Sequence, residues 1–116
     1  TTAASEKFMK EQPKVMAGFT RATLKALRLI KRDRDGTIAA FTKFSGLPQA
    51  TVTRLYDDLI GTFTANGAVD EETQKNDLAV IRQVLDSKES LAPARAFDFS
   101  FALDADRQLT KAGWKP

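Results

Sequence analysis

The sequence predicts an all-α fold of about six helices. Apolar residues recur with the 3.6-residue helical period along most of the chain, and Pro13, Gly46, Pro48 and Gly67 stand where such segments begin or break. Sustained alternation, the mark of a strand, occurs only at residues 97–101, where Phe97, Phe99 and Phe101 alternate with Asp98 and Ser100.

The longest helix spans Pro13 to Arg32, about 30 Å, and forms the spine. On a helical wheel Val15, Met16, Phe19, Ala22, Ala26, Leu27, Leu29 and Ile30 share one broad face. Lys14, Arg21, Lys25, Arg28 and Arg32 form a narrow stripe opposite, which reads as the solvated side. Pro13 suits the first helical position, where its missing N–H costs nothing, and Lys31, Arg32 and Arg34 complement the carbonyl end of the dipole.

Before it, residues 1–4 read as an incoming extended segment, and Ser5 caps a short helix carrying Phe8 and Met9 that must stop before Pro13. After it, Arg32-Asp33-Arg34-Asp35-Gly36 is a polar turn with two N-cap candidates, Asp33 and Asp35. Ile38, Phe41 and Phe44 line a third helix that Gly46 ends. Pro48 opens the fourth, whose residues Val52, Leu55, Tyr56, Leu59, Ile60 and Phe63 follow the helical spacing most cleanly. Asn66-Gly67 breaks it, and Asp70 with Glu71 and Glu72 starts a fifth helix carried by Leu78, Ile81 and Leu85. Residues 86–96, with Pro93, read as a loop; Ala102, Ala105, Leu109 and Ala112 then return to helical spacing as far as Gly113 and Trp114.

Residues 1–116 fit one domain, which at this length is expected to bury 60 to 70% of its unfolded surface, by the usual scaling of roughly that size. Lys and Arg number 18 against 15 Asp and Glu, and the resulting +3 is too small to demand an anionic partner. With 42% hydrophobic and 28% charged residues the composition is globular. No cysteine or histidine occurs, so disulfides, thiolate or imidazole metal sites, cysteine nucleophiles and a Ser-His-Asp triad are excluded within this chain. A non-enzyme without metal or cofactor is expected. No apolar run is long enough for a membrane helix, and no signal segment opens the chain. The first residue is Thr and not Met, which predicts a processed chain or a piece of a longer one.

Three clusters invite a functional reading, and each has a plainer one. Arg21, Lys25, Arg28 and Arg32 could track phosphates, although no aromatic is interleaved with them. Asp57 and Asp58 form an acidic pair, but adjacent residues on a helix diverge by 100°, so one metal does not easily reach both. Phe97, Phe99, Phe101 and Trp114 could stack a ligand, and equally could clamp the chain end onto the core. Residues 38–60 also resemble a helix-turn-helix: Gly46-Leu47-Pro48 would make the turn, Val52 and Leu55 would serve as core positions, and Gln49, Thr51, Thr53 and Arg54 are candidate base readers. Against DNA binding stand Asp57, Asp58 and the acidic segment 66–73, and Thr42 fills a tight inter-helix position where such motifs prefer alanine.

A wider pattern covers nearly the whole chain. Pro13-Lys14-Val15 leads into Phe19-Thr20-Arg21-Ala22-Thr23, then Arg32-Asp33-Arg34-Asp35-Gly36-Thr37-Ile38, Phe44-Ser45-Gly46-Leu47, Tyr56-Asp57, Phe63, Asn66-Gly67-Ala68-Val69-Asp70 and Phe97-Asp98-Phe99-Ser100. In order and spacing this resembles the C-terminal part of ABC-transporter substrate-binding proteins of the nitrate/sulfonate/taurine type, related to the thiamine-pyrimidine synthesis proteins. Gly36 departs from it, standing where the pattern usually has an acidic residue.

The resemblance implies the helical C-terminal portion of a two-lobed α/β periplasmic-binding-protein (type II) fold. It implies a periplasmic or extracytoplasmic location, a small solute and a membrane permease as partners of the parent protein, and no nucleic acid. Residues 1–4 would then end the segment that recrosses between lobes. The ligand pocket of such proteins is built mostly upstream, so no binding residue carries over to this chain. Helices that cover a sheet in the parent would leave Phe8, Phe41, Phe44, Tyr56, Phe63 and the 97–101 run facing a missing partner, and self-association through them is expected.

Overall fold

A computed structural model describes residues 2–115, and within them the chain forms seven α-helices, 72% helix in all, and no strand. In chain order these are α1 (Glu6–Glu11), α2 (Pro13–Arg32), α3 (Arg34–Ser45), α4 (Gln49–Leu59), α5 (Glu71–Val84), α6 (Pro93–Ala96) and α7 (Ser100–Lys111), with a 3₁₀ turn at Ile60–Thr62 after α4. Thr1, expected in the extended segment, lies outside the described residues; residues 2–4 carry no regular structure.

Local chemistry sets the boundaries. Ser5 Oγ accepts the Phe8 N–H at 3.1 Å and opens α1. Pro13 takes the first turn of α2. Of the two cap candidates in the following turn Asp33 serves: its carboxylate accepts the Gly36 N–H at 2.9 Å, so this one residue closes α2 and opens α3. Gly46 ends α3 at φ 70°, a left-handed conformation that glycine enters without a Cβ clash. Asp70 starts α5 by accepting the Thr73 N–H at 2.7 Å.

One expectation needs correction. The 86–96 loop contains a helix beyond the six expected, the single turn α6: Pro93, with φ fixed near the helical value, sits in its first turn, and the Phe97 N–H closes onto the Pro93 carbonyl at 2.9 Å. The Phe alternation of 97–101 forms no strand, in keeping with the all-α reading: Phe97 caps α6, Phe99 precedes α7 and Phe101 lies inside it.

The core is sparse. Leu24, Ala105 and Leu109 pack together where α2 meets α7, with Leu27 and Trp114 against them. Ile38 of α3 and Val52 of α4 are the other two fully buried residues among those described. Residues 63–70 cross beside the first cluster, and a Cβ on Gly67 would sit 3.7 Å from both Leu24 Cδ1 and Ala102 Cβ.

The chain exposes 8900 Å². A folded monomer of 12.8 kDa exposes about 6,300 Å² and its unfolded chain about 18,600 Å², so folding removes roughly half of the unfolded surface, less than the 60 to 70% expected from length. The radius of gyration of 16.5 Å against about 13 Å for a compact domain gives the same picture. These helices leave much apolar surface in water.

Candidate functional site

The spine helix is turned from its expected orientation. Leu24, about 180° round the helix from Val15, is its one fully buried residue and meets α7. Val15 and Phe19, on the broad apolar face, remain 53% and 52% exposed. The seam with α7 was won by the side that carries the basic stripe, because three of its members find partners there. Arg28 Nη2 donates to Asp106 Oδ1 at 2.7 Å and to Thr110 Oγ1 at 3.2 Å. Arg21 donates to Gln108 Oε1 at 3.2 Å, and Lys25 Nζ stands 5.2 Å from the centre of the Trp114 ring. The stripe is therefore in large part an inter-helix seam and not the solvated face anticipated, although Arg21 keeps contact with water while it bonds Gln108.

The acidic pair separates. Asp57 receives two hydrogen bonds from Arg34, at 3.0 and 2.8 Å, which hold its carboxyl below the usual carboxylate range and raise the guanidinium in return. Asp58 is exposed and takes no part in that pairing. No group of three or more Asp or Glu side chains among the described residues is arranged to hold a metal ion.

The aromatic candidates divide as well. Trp114 lies half-buried on the Leu24 cluster, where it fastens the chain end. Phe97 and Phe99 stack on each other at 5.9 Å, and they and Phe101 are half-buried. Tyr56 is not offered to a partner: its hydroxyl donates to the Ile30 carbonyl at 2.7 Å and Arg34 lies over its ring. Phe8, Phe41, Phe44 and Phe63 are exposed as expected of a face awaiting cover, Phe44 at 86% most of all.

The surface these residues suggest is a groove of about 390 Å³ between the C-terminal half of α2 and α3. Ala26, Leu29, Ile30, Ala40, Phe41 and Phe44 form its walls, and Asp33, Gly36 and Thr37 its polar end. A second apolar surface went unrecognised. Ile81 and Leu85, expected to anchor α5 in the core, are 50% and 69% exposed, and Val80 and Val84 beside them are open too. No residue of α5 is buried, and its principal neighbour is the single turn α6. Their helical spacing was visible in the sequence; the lack of cover was not.

The helix-turn-helix candidate is partly assembled. Three residues join α3 to α4, and Ile38 and Val52 are buried, but Leu55 is open to solvent. Gln49, Thr51 and Arg54 are exposed and Thr53 half-buried. Thr42 sits in the inter-helix position with its hydroxyl buried and unpartnered.

No helix among the described residues is long and apolar enough to cross a membrane. No family model, no curated protein and no solved structure matches this chain.

Proposed function

We propose that the chain works as a helical covering layer and not as a catalyst, in the manner of the C-terminal portion of an ABC-transporter solute-binding protein. The observation that carries this reading is the open apolar face of α2, with Val15 and Phe19 half in water while the opposite side of the helix is sealed by α7. A helix closed on one side and apolar on the other is shaped to lie on something. In the proposed parent that something is the first α/β lobe, the solute is a sulfonate, taurine, nitrate or pyrimidine held upstream in the inter-lobe cleft, and a permease receives it outside the cytoplasm.

The test is complementation. A taurine-binding protein shortened by its C-terminal helices should take up this chain as a 1:1 complex, with hydrogen exchange slowed around Val15 and Phe19 of α2. Failure to form that complex would overturn the reading. Calorimetric binding of taurine or nitrate to the chain alone would contradict the upstream placement of the pocket.

A second reading, a DNA-binding helix-turn-helix across 38–60, is favoured by the left-handed Gly46 between α3 and α4. It is opposed by Asp57 and Asp58 on α4, one of which is tied to Arg34. Duplex DNA binding that weakens by a decade or more between about 50 and 200 mM salt would favour it over the covering layer.

A further inference from the structure

We propose that the chain forms a two-fold dimer in which the apolar ridge of α5 from each copy seats in the α2–α3 groove of the other. The inference stands on the surface of the chain by itself and does not rest on the transport reading. The first argument is area. The chain exposes 8900 Å², about 2,600 Å² beyond a folded monomer of its mass, whereas a standard interface takes only about 800 Å² from each partner. The surplus is more than a standard interface needs from each copy.

Complementarity of form is the second argument. The ridge, Val80, Ile81, Val84 and Leu85, has the spacing of a helix that lies in a groove. The groove walls are apolar, and Phe44 stands at their edge almost wholly in solvent. Within one chain α5 packs chiefly on α6, and none of its residues lines the groove. A 14-residue helix with no buried side chain is marginal in water, so α5 has the most to gain from cover. Charge agrees: Asp33 lines one end of the groove, and Arg82 borders the ridge next to Ile81. Reciprocal seating satisfies both surfaces on both copies and closes the assembly.

Light scattering after size-exclusion chromatography at high micromolar concentration should give twice the 12.8 kDa chain mass. Phe44→Asp spoils the groove and Val84→Asp spoils the ridge; both side chains are exposed, so far-ultraviolet circular dichroism should stay helical while each variant runs as a monomer. The mixture decides the pairing. An F44D chain keeps a sound ridge and a V84D chain keeps a sound groove, so an equimolar mixture retains one intact contact and should partly recover the dimer mass. If either variant loses its helical signal, Phe41→Asp and Leu85→Asp replace the pair. A monomeric wild-type chain, folded variants that remain dimeric, or a mixture that stays monomeric would each overturn the proposal and leave the complementation test above untouched.

Discussion

Arg28 and Asp106 lie 78 positions apart in sequence and 2.7 Å apart in space, joining α2 to α7 with side chains only 20% and 32% exposed. A charge-assisted bond with partial burial is the kind that contributes measurably. Arg28→Ala or Asp106→Ala should each cost about 1–2 kcal/mol in urea unfolding. The double variant should cost less than the sum of the two, and strict additivity would mean that the pair carries no coupling.

The orientation of α2 predicts an inversion of what its wheel alone implies. Leu24→Ala, at a position 3% exposed among Ala105 and Leu109, should cost about 2–4 kcal/mol. Phe19→Ala, on the broad apolar face, should cost less than about 1 kcal/mol in the dilute chain despite removing the larger side chain. Equal losses at the two sites would place α2 differently against its neighbours.

Thr42 offers a gain. Its hydroxyl is buried without a hydrogen-bond partner, a condition that costs on the order of 1–3 kcal/mol. Thr42→Val keeps the β-branched shape and removes the oxygen, so the melting temperature should rise by a few degrees. A fall would reveal a partner for the hydroxyl.

Acid should unfold the chain through carboxylates and not through histidine, of which there is none. Asp70, held by the Thr73 N–H, and Asp98, held by Ser100, both have pKa values below their ordinary range, as do Asp57 beside Arg34 and Glu71 beside Lys75. Each is depressed in the folded state, so its contribution is complete above the unfolded value near 4 and disappears as pH falls through the lower folded value. Melting temperature should therefore be flat from about pH 5 to 8 and drop below about pH 4. Asp70→Asn preserves the cap without the titration, and its acid slope should be shallower than that of the natural chain.

Much of this fold can be read in the residues. Pro13 and Arg32 bound α2, Gly46 ends α3 and Asp70 begins α5, because caps and breakers act through neighbours three or four positions away. Burial was harder to read. Leu24 lies close to Arg21 and Arg28 on the wheel, and a wheel ranks faces by polarity and cannot know that Asp106 and Gln108 will receive the arginines. Ile81 and Leu85 have a core pattern in α5 with nothing to cover them, as the same apolar stripe serves a core or an interface. Pro93 signalled a break and also founded a turn of helix, two roles with one residue signature.

Trp114, the only tryptophan, has its ring against the Leu24 cluster and under the Lys25 ammonium. Its fluorescence thus watches the meeting of α2 and α7 and little else. That meeting requires closing a long stretch of chain, whereas α3 and α4 pair across a three-residue turn, and loop-closure entropy makes the distant pairing the slower event. In a rapid-mixing refolding experiment the helical signal should lead and the indole signal should lag, so that one native side chain times the last step of assembly.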